Sequence, residues 1–440
     1  MLTNGADPNN TGVPAANATE AAMKAGNLAA SFASTVSLSP LAASQTPAGG
    51  TLGSLNNGVL AGAGFSNGSA TVSSLQYTEV GSFALNTTGV VSNFLGSGLA
   101  LDSVVVNASG GQNTRVGRFV PAGFVVGSTV LTLRPAAACS PASTFIHLDE
   151  NFQFGFSLTA QNALGAKTNN YTGSFARLDL SVPASLGLAG IGGGAPSTPF
   201  VSGGRLALAS SSGSWVNGLA SNVTLVAMAL RAATPDGPFD TAQFGIAPLD
   251  PDGVTMLSFN LDTSNPPDSA DRSLLATVPL RFGRLRLQNA IGSQTRPLRM
   301  TLQGQYWNGS AFVPNPLDSC TRVNATHLSF GNFRKTLAST DASLSNGPVT
   351  LSNGVASLTL AAPAAGRSGS YDVAISLGAS ATDASCLQSW TPGKPGTTGA
   401  SMAYLRGAWC SAAYGKDPSA RATFGLYRGT DATVYQRENY

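Results

Sequence analysis

The sequence predicts an all-β fold made of tandem immunoglobulin-like antiparallel β-sandwich domains. Short apolar runs are separated by Gly, Asn and Ser along most of the 440 residues, which is typical of strands joined by turns. The clearest run alternates apolar and polar side chains over residues 152–160, the two-residue period of a half-buried strand. No segment has the pattern of a long amphipathic helix, and a chain of this length suits two to four domains.

The strand runs group into three predicted sandwiches after a linker. Residues 1–27 lack periodicity and are predicted to be the linker. The sandwiches are predicted at residues 28–120, 121–284 and 285–440. The middle one contains a Gly-rich stretch at residues 186–204, which predicts a long surface loop.

Residues 281–321 show two local features of sheet structure. Apolar residues follow one parity up to Phe282 and the other parity from Leu285 onward. This slip at Gly283 predicts a β-bulge. Asn308-Gly309 lies between two apolar runs and predicts a hairpin with a type I′ turn, because this dipeptide tolerates positive φ at both central positions.

Charge and hydrophobicity argue against two kinds of partner, a nucleic acid and the interior of a membrane. Charged residues make up 10% of the sequence, and the net charge is +3. Nucleic-acid binding needs a concentrated basic surface. Arg284 and Arg286 share one strand face by alternation, which favours a solvated face, so no nucleic-acid partner is expected. No stretch reaches the roughly 18–20 apolar residues of a membrane span, and none is expected in this chain.

The four cysteines, Cys139, Cys320, Cys386 and Cys410, indicate disulfides in an oxidising compartment. None is spaced as CxxC, which argues against a zinc knuckle or a thioredoxin-like motif. Four cysteines allow three pairings, and the sequence alone leaves them open. The favoured pairing joins Cys386 to Cys410, which share a loop-rich region, and leaves Cys139 with Cys320 to tie two successive domains together. Free buried thiols are the alternative.

Candidate catalytic and metal-binding residues are few. His147 and His327 are the only histidines, and neither has the sequence context of a nucleophilic triad, so no catalysis is expected. Asp250 and Asp252 alternate before a glycine, a pattern that can supply oxygen ligands to Ca²⁺. The same Pro-Asp-Gly run is equally a turn signal, which is the favoured interpretation. No other cofactor is expected.

Aromatic residues beside the predicted hairpin are the candidate glycan contacts. Tyr306 and Trp307 directly precede the Asn308-Gly309 turn, where an exposed ring could stack on a sugar. Aromatics in sandwiches more often pack in the core.

The start of the sequence lacks the basic and apolar regions of a signal peptide, which favours a fragment of a longer exported chain.

Five segments in one order resemble a known family. They are residues 77–81, 116–121, 169–176, 281–321 and 417–429. In these segments the chain resembles the C-terminal region of the MSHA (mannose-sensitive haemagglutinin) type IV pilus biogenesis protein MshQ family. The resemblance covers most of the chain from about residue 64 and departs from the family between residues 377 and 417.

The resemblance implies a bacterial envelope protein that takes part in assembly or adhesion of a type IV pilus, with no catalytic residues to carry over. We expect a secreted, cell-surface or periplasmic structural or adhesive component, not an enzyme, whose stacked sandwiches form a disulfide-stabilised stalk. The expected partners are pilus or envelope proteins and host or surface glycans. A carbohydrate-binding module of an extracellular protein is the first alternative, and a secreted hydrolase is the second.

Overall fold

The protein is described from a computed structural model. The described residues are 32–103, 115–134, 139–140, 142–192, 200–201, 204–261, 271–382, 384–387 and 392–425. Throughout these ranges the regular structure is β-strand with short 3₁₀ turns, which confirms the all-β fold class. No helix there is long and apolar enough to cross a membrane. The linker predicted for residues 1–27 lies outside the described residues.

Six short strands form an N-terminal layer of three antiparallel pairs. They are β1 (Val36–Ser37), β2 (Leu55–Asn56), β3 (Val59–Leu60), β4 (Gln76–Tyr77), β5 (Gly81–Ala84) and β6 (Arg115–Phe119). β1 pairs with β3, β2 with β4 and β5 with β6. Tyr77, Phe83 and Phe119 pack with ring centres 4.5–5.7 Å apart. Because an isolated strand pair is marginally stable in water, the layer depends on the sandwich that it contacts.

Within the described residues, nine strands form the central sandwich. They are β7 (Gly123–Thr132), β8 (Ile146–His147), β9 (Asn151–Gln161), β10 (Ala189–Ile191), β11 (Phe200–Val201), β12 (Leu206–Ser212), β13 (Leu219–Ala229), β14 (Phe239–Ile246) and β15 (Ser273–Arg281). One sheet has the order β12-β13-β9-β7 and the other β11-β10-β14-β15-β8, with β8 parallel to β15. Phe152 and Phe154 of β9 contact Phe244 of β14 across the core. Burial alternates along the whole of β9, as its sequence predicts.

The Gly-rich stretch of the central sandwich differs from the loop that was predicted. Its described ends form a 3₁₀ turn at Pro183–Leu186 and the paired strands β10 and β11. Leu188 and Phe200 are buried in the core. The loop prediction is wrong for these ends because their apolar side chains outweigh the glycines between them, while residues 193–199 lie outside the described residues.

The C-terminal sandwich has eleven strands in the part of the chain that the structure describes. They are β16 (Gly283–Leu287), β17 (Ala290–Gly292), β18 (Leu298–Trp307), β19 (Phe312–Pro314), β20 (Arg322–Val323), β21 (Leu328–Lys335), β22 (Val349–Thr350), β23 (Val355–Leu360), β24 (Gly369–Ile375), β25 (Pro392–Lys394) and β26 (Ser419–Phe424). One sheet has the order β16-β18-β19, with β23 also on β18, and the other β17-β26-β24-β21-β25. β20 and β22 form a separate pair. Both larger sheets contribute to one core. The predicted domain bounds stay predictions.

The parity slip at Gly283 marks the crossing between the two sandwiches. β15 ends at Arg281 in the central sandwich, and β16 begins at Gly283 in the C-terminal sandwich. Phe282 is buried in the central core, whereas Leu285 is buried in the C-terminal core. The predicted β-bulge is therefore wrong, since each parity of the sequence belongs to a different sheet with its own core.

The hairpin predicted around Asn308-Gly309 exists, but its turn is shifted by one residue. Trp307 pairs with Phe312, and the amide of Asn308 donates to the carbonyl of Ala311 at 3.0 Å, so the residues at the tip are Gly309 and Ser310 and not Asn308 and Gly309. Gly309 has a φ of 100°, and Asn308 is not among the residues with positive φ. The Asn308 carboxamide oxygen accepts the amides of Ser310 and Ala311 at 3.0 and 2.9 Å. This side-chain cap replaces the predicted type I′ turn.

We predict that Gly283→Ala destabilises the protein by about 1–3 kcal/mol, the usual result of overpacking a tight site. A Cβ at Gly283 would lie 2.3 Å from Nδ1 of the buried His147. Gly155→Ala in β9 is the matched control, because its nearest neighbour would lie 3.9 Å away. Denaturant unfolding of both variants checks the prediction, and equal free energies of unfolding would contradict it.

Candidate functional site

A buried cluster of hydrogen-bonded charged and polar side chains lies where the central and C-terminal sandwiches meet. We call this contact the junction, and its centre consists of Arg134, Glu150, Asp318, Thr321 and Tyr404. Arg134 and Glu150 belong to the central sandwich, and the other three belong to the C-terminal sandwich. The Arg134 guanidinium donates to Glu150 Oε1 at 2.7 Å, Thr321 Oγ1 at 2.8 Å and Tyr404 Oη at 3.3 Å. One buried side chain thus binds both sandwiches.

Both carboxylates at the junction are fixed by further donors. Asp318 Oδ1 lies 3.7 Å from the Arg134 guanidinium, and its carboxylate also accepts the amide and hydroxyl of Thr321 at 2.9 and 2.7 Å. Glu150 Oε2 accepts the backbone amide of His147 at 3.0 Å. Burial opposes the charge of Arg134, but Glu150, Tyr404 and Asp318 outweigh it and raise the pKa of Arg134. Burial raises the pKa of Glu150, although the charge of Arg134 and the amide of His147 oppose this effect.

A disulfide between Cys139 and Cys320 crosses the junction. These two residues are 181 positions apart in sequence, and both are buried. The amide of Ser140 donates to the carbonyl of Cys320 at 3.1 Å. Arg134 Nη1 lies 3.5 Å from Cys320 Sγ. Covalent and polar links between the sandwiches are thus concentrated at one place.

His147 lies on the central-sandwich side of the junction. Its ring is fully buried between Phe145 and Tyr404, with centroid distances of 4.8 and 5.6 Å. Neither ring nitrogen has a hydrogen-bond partner among the described residues. Burial, followed by the charges of Arg134 and Arg231, lowers the pKa of His147 well below its usual value. The imidazole is therefore neutral at neutral pH.

Arg231 makes a second polar link across the junction. It extends from the end of β13 and donates to the carbonyl oxygens of Gly283 and of Arg406, the latter at 3.2 Å. Its guanidinium carbon lies 4.7 Å from the centre of the Phe282 ring. Burial, partly offset by Asp149, lowers the pKa of Arg231 to about 10. Arg231 thus holds the crossing strand in place.

The second disulfide, Cys386–Cys410, lies in the segment between residues 377 and 417. Tyr414 packs against Phe282 at 4.9 Å, and the Trp409 ring lies 4.7 Å from the Arg284 guanidinium. Trp409 and Tyr414 of this segment therefore pack over the apolar edge of the junction.

Two of the resembling segments meet between the N-terminal layer and the central sandwich. The buried carboxylate of Glu79 accepts the amides of Asn169 and Asn170, both at 3.0 Å. The Asn170 side chain donates to the carbonyl of Thr51 at 2.8 Å. These contacts hold the N-terminal layer to the sandwich.

The candidate Ca²⁺ ligands Asp250 and Asp252 lie in a turn and have different partners. Asp250 is buried and accepts the amides of Asp252 and Val254, both at 2.9 Å, and the hydroxyl of Tyr171 at 3.0 Å. Asp252 makes an ion pair with Arg118. Among the described residues, no group of three or more His, Cys, Asp and Glu side chains is arranged to hold a metal. The turn interpretation accounts for both carboxylates.

The candidate glycan contacts, Tyr306 and Trp307, are half-buried. The Tyr306 ring lies 5.1 Å from the guanidinium carbon of Arg281. Trp307 packs edge-on against Phe312 at 5.4 Å. Part of each ring therefore packs against another side chain of the protein, and the glycan contact stays a prediction.

Sequence reasoning missed Arg134 and Tyr404, and it considered Glu150 only as part of a carboxylate pair with Asp149. Asp318 and Thr321 lie in a segment that was singled out, but no role was assigned to them.

We predict that Arg134→Met lowers the free energy of unfolding by about 3–5 kcal/mol, since it leaves Glu150 and Asp318 buried without their cation. Arg118→Met is the matched control at the half-exposed ion pair with Asp252, where the loss should stay under about 1 kcal/mol. Adding Glu150→Gln to Arg134→Met should restore part of the stability. Equal losses in the two single variants, measured by denaturant unfolding, would contradict this role.

We predict that acid weakens the protein through His147. Below about pH 6.5, His147 is protonated in the unfolded chain but stays neutral in the native protein. The free energy of unfolding therefore falls as pH drops, by up to about 1.4 kcal/mol per pH unit. His147→Phe should remove this part of the slope between pH 7.5 and pH 5. Burial also lowers the pKa of His327, so His327→Phe should remove a separate part of the slope, and the double variant should lose the sum of the two parts. A full wild-type slope in His147→Phe would refute the prediction.

Comparisons with known proteins identify two family domains in this chain. Residues 79–273 match the third domain of DUF6701, and residues 281–439 match its fourth domain. No curated protein matches the chain. Among solved structures, the T6 backbone pilin of serotype M6 Streptococcus pyogenes is 9% identical, with 78% of this chain and 73% of that chain covered. Its TM-score is 0.15, so this likeness carries no argument. The two matches are separated by residues 274–280, which lie within β15, and the chain belongs to the DUF6701 family, of which it carries the third and fourth domains.

Proposed function

We propose that this chain is a non-enzymatic structural or adhesive component of the bacterial cell surface, in which stacked β-sandwiches form a disulfide-stabilised stalk. The observation that carries the proposal is the junction, where Arg134 and the Cys139–Cys320 bridge join two sandwiches. A chain with a linked junction holds its domains in line, whereas domains joined only by a linker move independently.

The cysteines support a location outside the cytoplasm. All four take part in two disulfides, and no cysteine is free. Such bonds persist in oxidising compartments such as the periplasm and the cell surface. The low charged content of 10% accords with this location.

The use of the rare ionisable groups supports a structural role. The polar network at the junction engages the charges of Arg134, Glu150 and Asp318. His147 is enclosed by aromatic rings and Gly283, out of reach of a substrate. His327 accepts the backbone amide of Asn324 and closes a 3₁₀ turn. These groups stabilise the fold and fix the relative position of the two sandwiches.

The association with a type IV pilus rests on the resemblance to the MshQ family. The resembling segments lie at structural joints, such as Glu79 with Asn169 and Asn170 between the N-terminal layer and the central sandwich. In this proposal the stalk supports pilus assembly or projects an adhesive module, and its partners are pilus or envelope proteins.

The proposal is tested in the bacterium that encodes the chain. Deleting the coding region should reduce the number of pili or adherence, and the wild-type chain should restore them. A chain with Arg134→Met should restore them poorly, while Arg118→Met serves as the control with an equivalent substitution. Thiol labelling of intact cells should find no free cysteine on this protein. Unchanged pili and adherence after deletion, or a cytoplasmic protein with four free thiols, would overturn the proposal.

A further inference from the structure

The Cys139–Cys320 disulfide transmits a pulling force directly between two residues that are far apart in the sequence. Its Cα atoms are 4.4 Å apart, although 181 positions separate the two cysteines. Between them run strands β8–β15 of the central sandwich and β16–β19 of the C-terminal sandwich. A pull on the two chain ends reaches Cys139 and Cys320 before it reaches these strands, and a covalent bond does not lengthen appreciably.

We propose that the Cys139–Cys320 bridge takes residues 140–319 out of the load path, so that a stretched chain lengthens only outside this loop until the bridge is reduced. The proposal rests on the proposed function in that the bypass matters only for a chain under tension. The load path then contains β1–β7 and β20–β26. β7 is already an extended strand of ten residues, so it releases little length when it detaches from β9.

The two disulfides differ in their access to a reductant. Cys139 and Cys320 are each 2% exposed, and the Arg134 guanidinium covers Cys320 Sγ. Cys410, in contrast, is exposed. Exchange requires a thiolate to approach a bridge sulfur directly, so Cys386–Cys410 reacts first. The bypass bond becomes reactive once load or unfolding opens the junction.

The chemistry that ends the bypass is thiol–disulfide exchange with a dithiol reductant. One thiolate of the reductant attacks a bridge sulfur, forms a mixed disulfide and releases one cysteine. The second thiol of the reductant then closes its own disulfide and releases the other cysteine. Two electrons pass to the protein, and two protons from the reductant end on Cys139 and Cys320.

Single-molecule stretching of the full chain between tags at its two ends tests the bypass. The oxidised protein should lack the length held in the loop. Cys139→Ser with Cys320→Ser should extend further by up to about 650 Å, since 181 residues contribute at most about 3.6 Å each. Cys386→Ser with Cys410→Ser is the control, whose loop of 24 positions adds only about 85 Å.

A wild-type measurement in dithiothreitol covers the case in which the serine variant fails to fold. The extra step of about 650 Å should then appear only after earlier unfolding has opened the junction. Total extensions that are the same with and without the bridge would overturn the proposal, as would full reduction of Cys139–Cys320 in the unloaded folded protein. Because extension is a property of the molecule and pilus number is a property of the cell, failure of either proposal can be recognised separately.

Discussion

The buried guanidinium of Arg134 is the interaction on which the arrangement of the two sandwiches depends. Removing a charge from water is costly unless partners surround it. Those partners come from both sides, with Glu150 from the central sandwich and Asp318, Thr321 and Tyr404 from the C-terminal one. Separating the sandwiches would leave the pair of Arg134 and Glu150 intact but would remove Asp318, Thr321 and Tyr404 from the guanidinium, so the network favours one relative position.

The rest of the chain uses its scarce charges in a similar way. Within the C-terminal sandwich, Asp372, Asp341 and Asp417 are buried and each pairs with an arginine. Asp417 also accepts the amides of Leu377 and Ala384, which organises the disulfide-bonded segment over the junction. These buried charges thus fix loops and joints, whereas other charged side chains, such as Arg296, Arg299 and Arg334, are exposed.

Sequence patterns predicted the features that arise from local spacing, and they failed where two distant segments meet. Burial along β9 follows its alternation because each side chain faces one core. The slip at Gly283 was visible but misinterpreted, since the sequence does not show that Phe282 and Leu285 enter different cores. The contact between Arg134 and Tyr404 joins residues 270 positions apart, and no local pattern announces such a pair. Only the cysteine pairing anticipated the junction.

The central claim is that the junction makes the two sandwiches one cooperative unit. Calorimetric unfolding of the oxidised full chain tests it most directly, because domains that do not interact melt in separate transitions. The account predicts a single main transition that includes both sandwiches, with the calorimetric and van't Hoff enthalpies in agreement. Two resolved transitions in the wild-type protein would contradict it and would show that Arg134 and the bridge hold the sandwiches together without coupling their stability.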